Sequence, residues 1–115
     1  MAKPKTLESR IQAEARRLTK IFADIDEKKK NSTQGLIQRA AFMRVSLEDL
    51  EAEINAEGFT ELFSQGEQEP YLRERPTSKI YNSLNSNYQK IIKQLTDLLP
   101  KDEKIPQGGD EFDQF

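Results

Sequence analysis

The chain contains no cysteine, no histidine and no tryptophan among its 115 residues. Without cysteine there is no disulfide framework to hold a small domain. Without histidine the commonest general base is missing, along with the usual zinc ligands and every Ser-His or Cys-His arrangement. No apolar run is long enough to cross a bilayer, and no basic stretch leads into an apolar segment with a small-residue cleavage site. The phosphate-cradling patterns G-x-x-x-x-G-K-[ST] and G-x-G-x-x-G are also absent. These absences predict a soluble, intracellular, non-enzymatic protein with no cofactor, no metal, no small-molecule substrate and no membrane partner.

What the chain does have is charge, a third of all residues, and it is unevenly spread. Met1 to Val45 hold 11 Lys/Arg against 5 Asp/Glu, and Ser46 to Phe115 hold 7 against 15. The halves therefore carry +6 and -8 under a net charge of only -2. Such asymmetry suits a polyanion at one end and an acidic, partner-facing or solvating segment at the other. The competing reading is a set of solvated helix faces.

Apolar spacing predicts three helices. The first runs from about Thr6 to Lys28, with Ile11, Ala15, Leu18, Phe22 and Ile25 on one stripe, Thr6 as N-cap and Lys28 to Lys30 at its C-terminus. Asn31, Ser32 and Thr33 form the expected break. Leu36, Ala40, Met43, Leu47, Leu50 and Ile54 then make a second stripe, ended by Gly58 in a Schellman arrangement that sets Phe59 against Ile54. A third stripe, Tyr81, Leu84, Tyr88, Ile91, Leu95 and Leu98, lies between Pro76 and Pro100, with Thr77 or Ser78 as cap.

The short break makes helices one and two an antiparallel hairpin. A connection of roughly eighteen residues then leads to helix three, longer than compact domains ordinarily use. It holds Phe59, Leu62, Phe63, Tyr71 and Leu72, so much of it is expected to pack, with a short turn from Thr60 and "SQGEQE" as its exposed tip. The fold class is all-α: a helical hairpin plus a third long amphipathic helix. Residues 1–30 form a basic arm and helix one, 31–100 a helical oligomerisation core with loop 58–76, and 101–115 a flexible acidic tail. Seam spacing near 3.5, with further apolar residues at Ile21, Ile37, Ile80, Ile92 and Leu99, predicts that copies share their apolar faces, with a plain monomeric bundle as the competing reading. The expected oligomerisation residues are Leu36, Met43, Leu47, Leu50, Ile54, Tyr81, Leu84, Tyr88, Ile91, Leu95 and Leu98.

On a helical wheel Arg10, Arg16, Arg17 and Lys20 fall opposite the stripe of helix one, Lys3 and Lys5 extend that face, and Lys28, Lys29 and Lys30 cluster at the hairpin. Cations so arranged can neutralise phosphates and release counterions, which is the chemistry of sequence-independent nucleic-acid binding. Arg39 and Arg44 are read as surface ion-pair formers. The acidic run Glu48, Asp49, Glu51, Glu53 and Glu57 has neither histidine nor a Gly-rich Asp loop to gather it, so a solvated face is expected over a metal or acid-base site. Phe112 and Phe115 in "DEFDQF" fit either a segment that orders on a partner or an ordinary disordered end.

The segments "LIQRAAFMRVSLEDLEAEINAEGF" and "RPTSKIYNSLNSNYQKIIKQLTDLLP", with a polar loop between them, resemble the small terminase subunits of tailed bacteriophages. The resemblance rests on Gly58 as helix stop, Arg75 with Pro76 ahead of the last helix, and Leu98, Leu99 and Pro100 at its close. It covers about Gln34 to Pro100; the acidic tail departs from the more basic ending common in that family. It implies a ring-like homo-oligomer in the cytoplasm of an infected bacterial host, binding double-stranded viral DNA and presenting it to a large terminase subunit that hydrolyses ATP and cuts DNA. Phe112 and Phe115 would then contact that large subunit. The alternative is a helical protein-binding adaptor or regulator with no DNA binding.

Overall fold

In the computed structural model, which describes residues 5–100, Thr6 opens the first helix by the predicted cap: its hydroxyl accepts from the Ser9 N–H at 3.0 Å. Helix α1 spans Leu7–Ile21, α2 Lys30–Glu57 and α3 Pro76–Leu98. Between α2 and α3 stand two strands, β1 (Thr60–Phe63) and β2 (Tyr71–Glu74), paired antiparallel. The described chain is thus mostly helical, which is compatible with the expected all-α class, and a small β-hairpin stands inside the long connection where a loop was expected.

The first break lies earlier than its residue types suggested. The Phe22 N–H closes on the Leu18 carbonyl, and helix one stops there, not at Lys28. Asp26 accepts from the Lys28 N–H at 3.1 Å, starting a 3₁₀ turn over Glu27–Lys29 that runs directly into α2. Asn31, Ser32 and Thr33 therefore sit in the first turns of α2, where the Thr33 hydroxyl donates to the Lys29 carbonyl. Lys28 and Lys29 stand just ahead of α2 and Lys30 opens it, the unfavourable end of its dipole for cations, and Glu27 offsets this by pairing with Lys30 at 3.0 Å. Phe22 and Ile25, both 2 % exposed, close the bundle from within this turn.

Gly58 ends α2 with φ of 84°, a conformation that favours glycine, and its N–H bonds to the Ile54 carbonyl. Its ψ of 178° is extended, so the predicted Schellman turn does not form and Phe59 leads straight toward β1, 58 % exposed. At the start of α3 neither Thr77 nor Ser78 caps. Arg75 holds that position in an extended conformation and Pro76 occupies the first turn, where a missing N–H costs nothing. The Ser78 hydroxyl, fully buried, donates instead to the Phe59 carbonyl at 2.8 Å.

All three helices draw on one core. Ala15 and Leu18 of α1 and Phe22 and Ile25 of the turn cluster with Ile37, Ala40, Ala41 and Leu47 of α2 and with Tyr88, Ile91, Ile92, Leu95 and Leu99. Arg10 meets Asp49 and Tyr81 meets Glu51, so α1 and α3 both run antiparallel to α2. The cluster joins residues on both sides of the expected boundary at residue 30.

Candidate functional site

Ion pairing thins the basic face of helix one. Arg10 reaches across to α2, 2.8 Å from Asp49 and 3.9 Å from Glu48. Arg17 forks onto Glu14 through two bonds of 2.8 and 2.7 Å, and the hydrogen bond to Glu14 raises its pKa further. Lys30 is held by Glu27. Arg16, Lys20, Lys28 and Lys29 are exposed and make no ion pair among the described residues. Arg16 and Lys20 stand one turn apart near the end of α1, and Lys28 and Lys29 lie on the 3₁₀ turn that follows, so the four gather at the α1–α2 end of the bundle. Asp24, Asp26 and Glu27 share that end and reduce its charge. Lys5 is exposed at the opposite end of α1, about 20 Å away by helix rise. Lys3, Phe112 and Phe115 lie outside the described residues.

The apolar seams close on one another within a single chain. Leu47, Ile54, Tyr88, Ile91 and Leu95 are buried; Leu36, Met43, Tyr81, Leu84 and Leu98 pack half-buried against the core, and Leu50 is half-buried. Of the additional apolar positions, Ile37, Ile92 and Leu99 are buried and Ile21 is half-buried. Only Ile80 of that group stays exposed, flanking with Leu7 and Phe42 a groove that also touches Leu50 and Leu84.

The acidic run is dispersed among structural partners. Asp49 holds Arg10, Glu51 accepts from the Tyr81 hydroxyl at 2.9 Å, and Glu53 accepts from Arg75 and Thr77. That bond to Glu51 raises the Tyr81 pKa. Arg44, Glu48, Glu51, Asn85 and Gln89 line a cleft of about 260 Å³ around Tyr88. Burial raises the Tyr88 pKa, opposed by Arg44.

The surface that spacing alone missed is the β-hairpin. Register pairs Glu61 with Arg73, Leu62 with Leu72 and Phe63 with Tyr71. One face is tied together: Arg73 is 2.7 Å from Glu61, its guanidinium lies 3.5 Å from the Phe63 ring centre, and Phe63 meets Tyr71 edge-on at 5.9 Å. The other face presents Leu62 and Leu72 side by side at 73 and 70 % exposure. Arg75 fixes the base, donating to the Gly58 carbonyl at 3.2 Å and to Glu53 at 3.1 Å with its side chain only 15 % exposed. The alternating apolar and charged residues of "TELF" and "YLRE" carried the signal for this element.

No helix among the described residues is long and apolar enough to cross a membrane. No protein-family model, curated protein or solved structure matches the chain.

Proposed function

We propose that the chain is a non-catalytic DNA-packaging component of the small-terminase kind, which binds duplex DNA and hands it to a large ATPase and nuclease subunit. The observation that carries this reading is the gathering of Arg16, Lys20, Lys28 and Lys29, all without acidic partners among the described residues, at one end of the bundle. Cations held by carboxylates bring little to a phosphate, whereas free exposed ones release counterions when DNA arrives. The landmarks of the resemblance also fall at element boundaries: Gly58 ends α2, Arg75 and Pro76 begin α3, and Leu98 closes it. In this reading copies assemble into a ring through apolar positions left at the surface, Leu7, Phe42 and Ile80, because the helix seams are spent inside each chain. The acidic end with Phe112 and Phe115 engages the large subunit.

Fluorescence anisotropy on duplex DNA across a salt series tests it. Replacing Arg16, Lys20, Lys28 and Lys29 with Gln is expected to reduce affinity at least tenfold and to flatten the salt slope by about 0.9 for each lost phosphate contact. Arg10→Gln should leave that slope unchanged. Equal binding by the fourfold variant and the parent would remove these residues as the DNA site. A second reading, a helical adaptor without DNA affinity, is favoured by the exposed leucines of the hairpin. It predicts no binding to duplex DNA even at low salt.

A further inference from the structure

The β-hairpin ends in open edges among the described residues, and its backbone fixes which groups those edges offer. The Arg75 N–H donates to the Phe59 carbonyl at 2.9 Å, so in an antiparallel ladder Arg73 and Tyr71 also turn their backbone groups toward β1. Leu72 and Glu74 then turn theirs outward. The outward-facing residue at the middle of β2 thus carries one of the two most exposed leucines of the chain.

We infer that β2 pairs with β2 of a second copy about a two-fold axis through Leu72, joining two hairpins into a four-stranded antiparallel sheet. A two-fold axis normal to the sheet sets each residue against one on the same face, so every allowed register places one residue opposite its own copy, and registers differ only in which residue that is. With Leu72 at the centre, its N–H and C=O are exchanged with those of the partner copy, and the Glu74 N–H reaches the Pro70 carbonyl. Four leucines, Leu62 and Leu72 from each hairpin, then form one continuous apolar stripe. On the opposite face Tyr71 lies across from Arg73 of the second copy, repeating the ring–guanidinium chemistry that Arg73 already uses on Phe63. Glu69 lies across from Arg75, which is opposite charge. Centring on Arg73 would set two guanidinium groups against each other. Pairing through β1 about Leu62 would set the Glu61 carboxylate against Phe63. The observations therefore select the β2 edge, and do so independently of any DNA binding. Being two-fold, this contact is distinct from a head-to-tail ring contact and joins copies in pairs.

The absence of cysteine makes the test direct. Residues facing each other in a hydrogen-bonded antiparallel pair have Cα atoms about 5.5 Å apart, within disulfide range. In the full chain, Leu72→Cys under mild oxidation is expected to convert to a covalent dimer at least tenfold faster than Leu62→Cys. Leu62 shares the face and the exposure, but two strands lie between it and its counterpart. Comparable rates, or faster linking through position 62, would overturn the β2 pairing. Sedimentation velocity at high micromolar concentration should give the parent chain twice the mass of Leu72→Lys, a substitution at a site open to solvent, with the same helical circular dichroism. That ratio holds whether or not a ring also forms through Leu7, Phe42 and Ile80. A monomeric parent, or a Leu72→Lys variant of unchanged mass, refutes the inference.

Discussion

Among single residues Tyr88 carries the sharpest consequence, because it is 2 % exposed and its hydroxyl has Arg44 beside it as a donor but makes no hydrogen bond of good geometry among the described residues. A buried hydroxyl without a well-formed bond costs on the order of 1 kcal/mol or more, so removing it should help. Tyr88→Phe is expected to stabilise the fold by up to about 1 kcal/mol at neutral pH, since the ring and its packing are retained. The pH dependence has a definite sign. Burial raises the phenol above its ordinary value of 10.0, so the folded chain holds this proton more tightly than the unfolded one. That contribution is complete below pH 10.0 and is lost as pH rises through the folded value. Urea unfolding at pH 7 and again above pH 10 should show the advantage of the variant widening with pH. A variant less stable at pH 7, or a gap that stays constant, would contradict the account. Tyr81 titrates high for another reason, its bond to Glu51, and sits nearer solvent.

At the scale of elements, the β-hairpin depends on an anchor that is remote in sequence. Arg75 ties Glu53 at the end of α2 to the Gly58 carbonyl, and lies 4.0 Å from Glu61 on β1. Arg75→Ala should therefore loosen the hairpin by about 1–3 kcal/mol, the range for losing hydrogen bonds to a charged group. Hydrogen exchange is the measurement: amides of β1 and β2 should lose protection while those of α2 around Ala40 and Ala41 keep theirs. Uniform loss across the chain would mean that the hairpin and the bundle open together. The same anchor explains what was legible. The helical stripes were readable because each spans several turns and repeats its apolar spacing, and the caps at Thr6 and Gly58 are local chemistry. The break was misplaced because Asn31, Ser32 and Thr33 look like a loop by residue type, whereas Asp26 accepts from the Lys28 N–H and caps a 3₁₀ turn that runs directly into α2 ahead of them. The hairpin stayed hidden because each strand has only four residues, and its stabilising pairs, Glu61 with Arg73 and Phe63 with Tyr71, are cross-strand.

At the scale of the whole molecule, cations were legible as residue types but their availability was not. Arg10 is neutralised by Asp49, thirty-nine positions along the chain, and no local pattern announces that pairing. The apolar seams posed the same problem in reverse: spacing identified Leu47, Tyr88, Ile91 and Leu95 as a shared surface but could not tell whether a second copy or the same chain would cover them. Here the same chain covers them, and one cluster links α1 to α3 through α2. A single core implies a single cooperative transition. Leu18 on α1 and Leu95 on α3 are each 0 % exposed, so Leu18→Ala and Leu95→Ala should each cost about 2–5 kcal/mol. Both variants should still unfold in one step, with all three helices lost together in calorimetry and far-ultraviolet circular dichroism. If Leu18→Ala instead releases α1 in an early, separate transition while α2 and α3 stay folded, then α1 is an appendage, and the basic end it builds with the 3₁₀ turn would move independently of the rest.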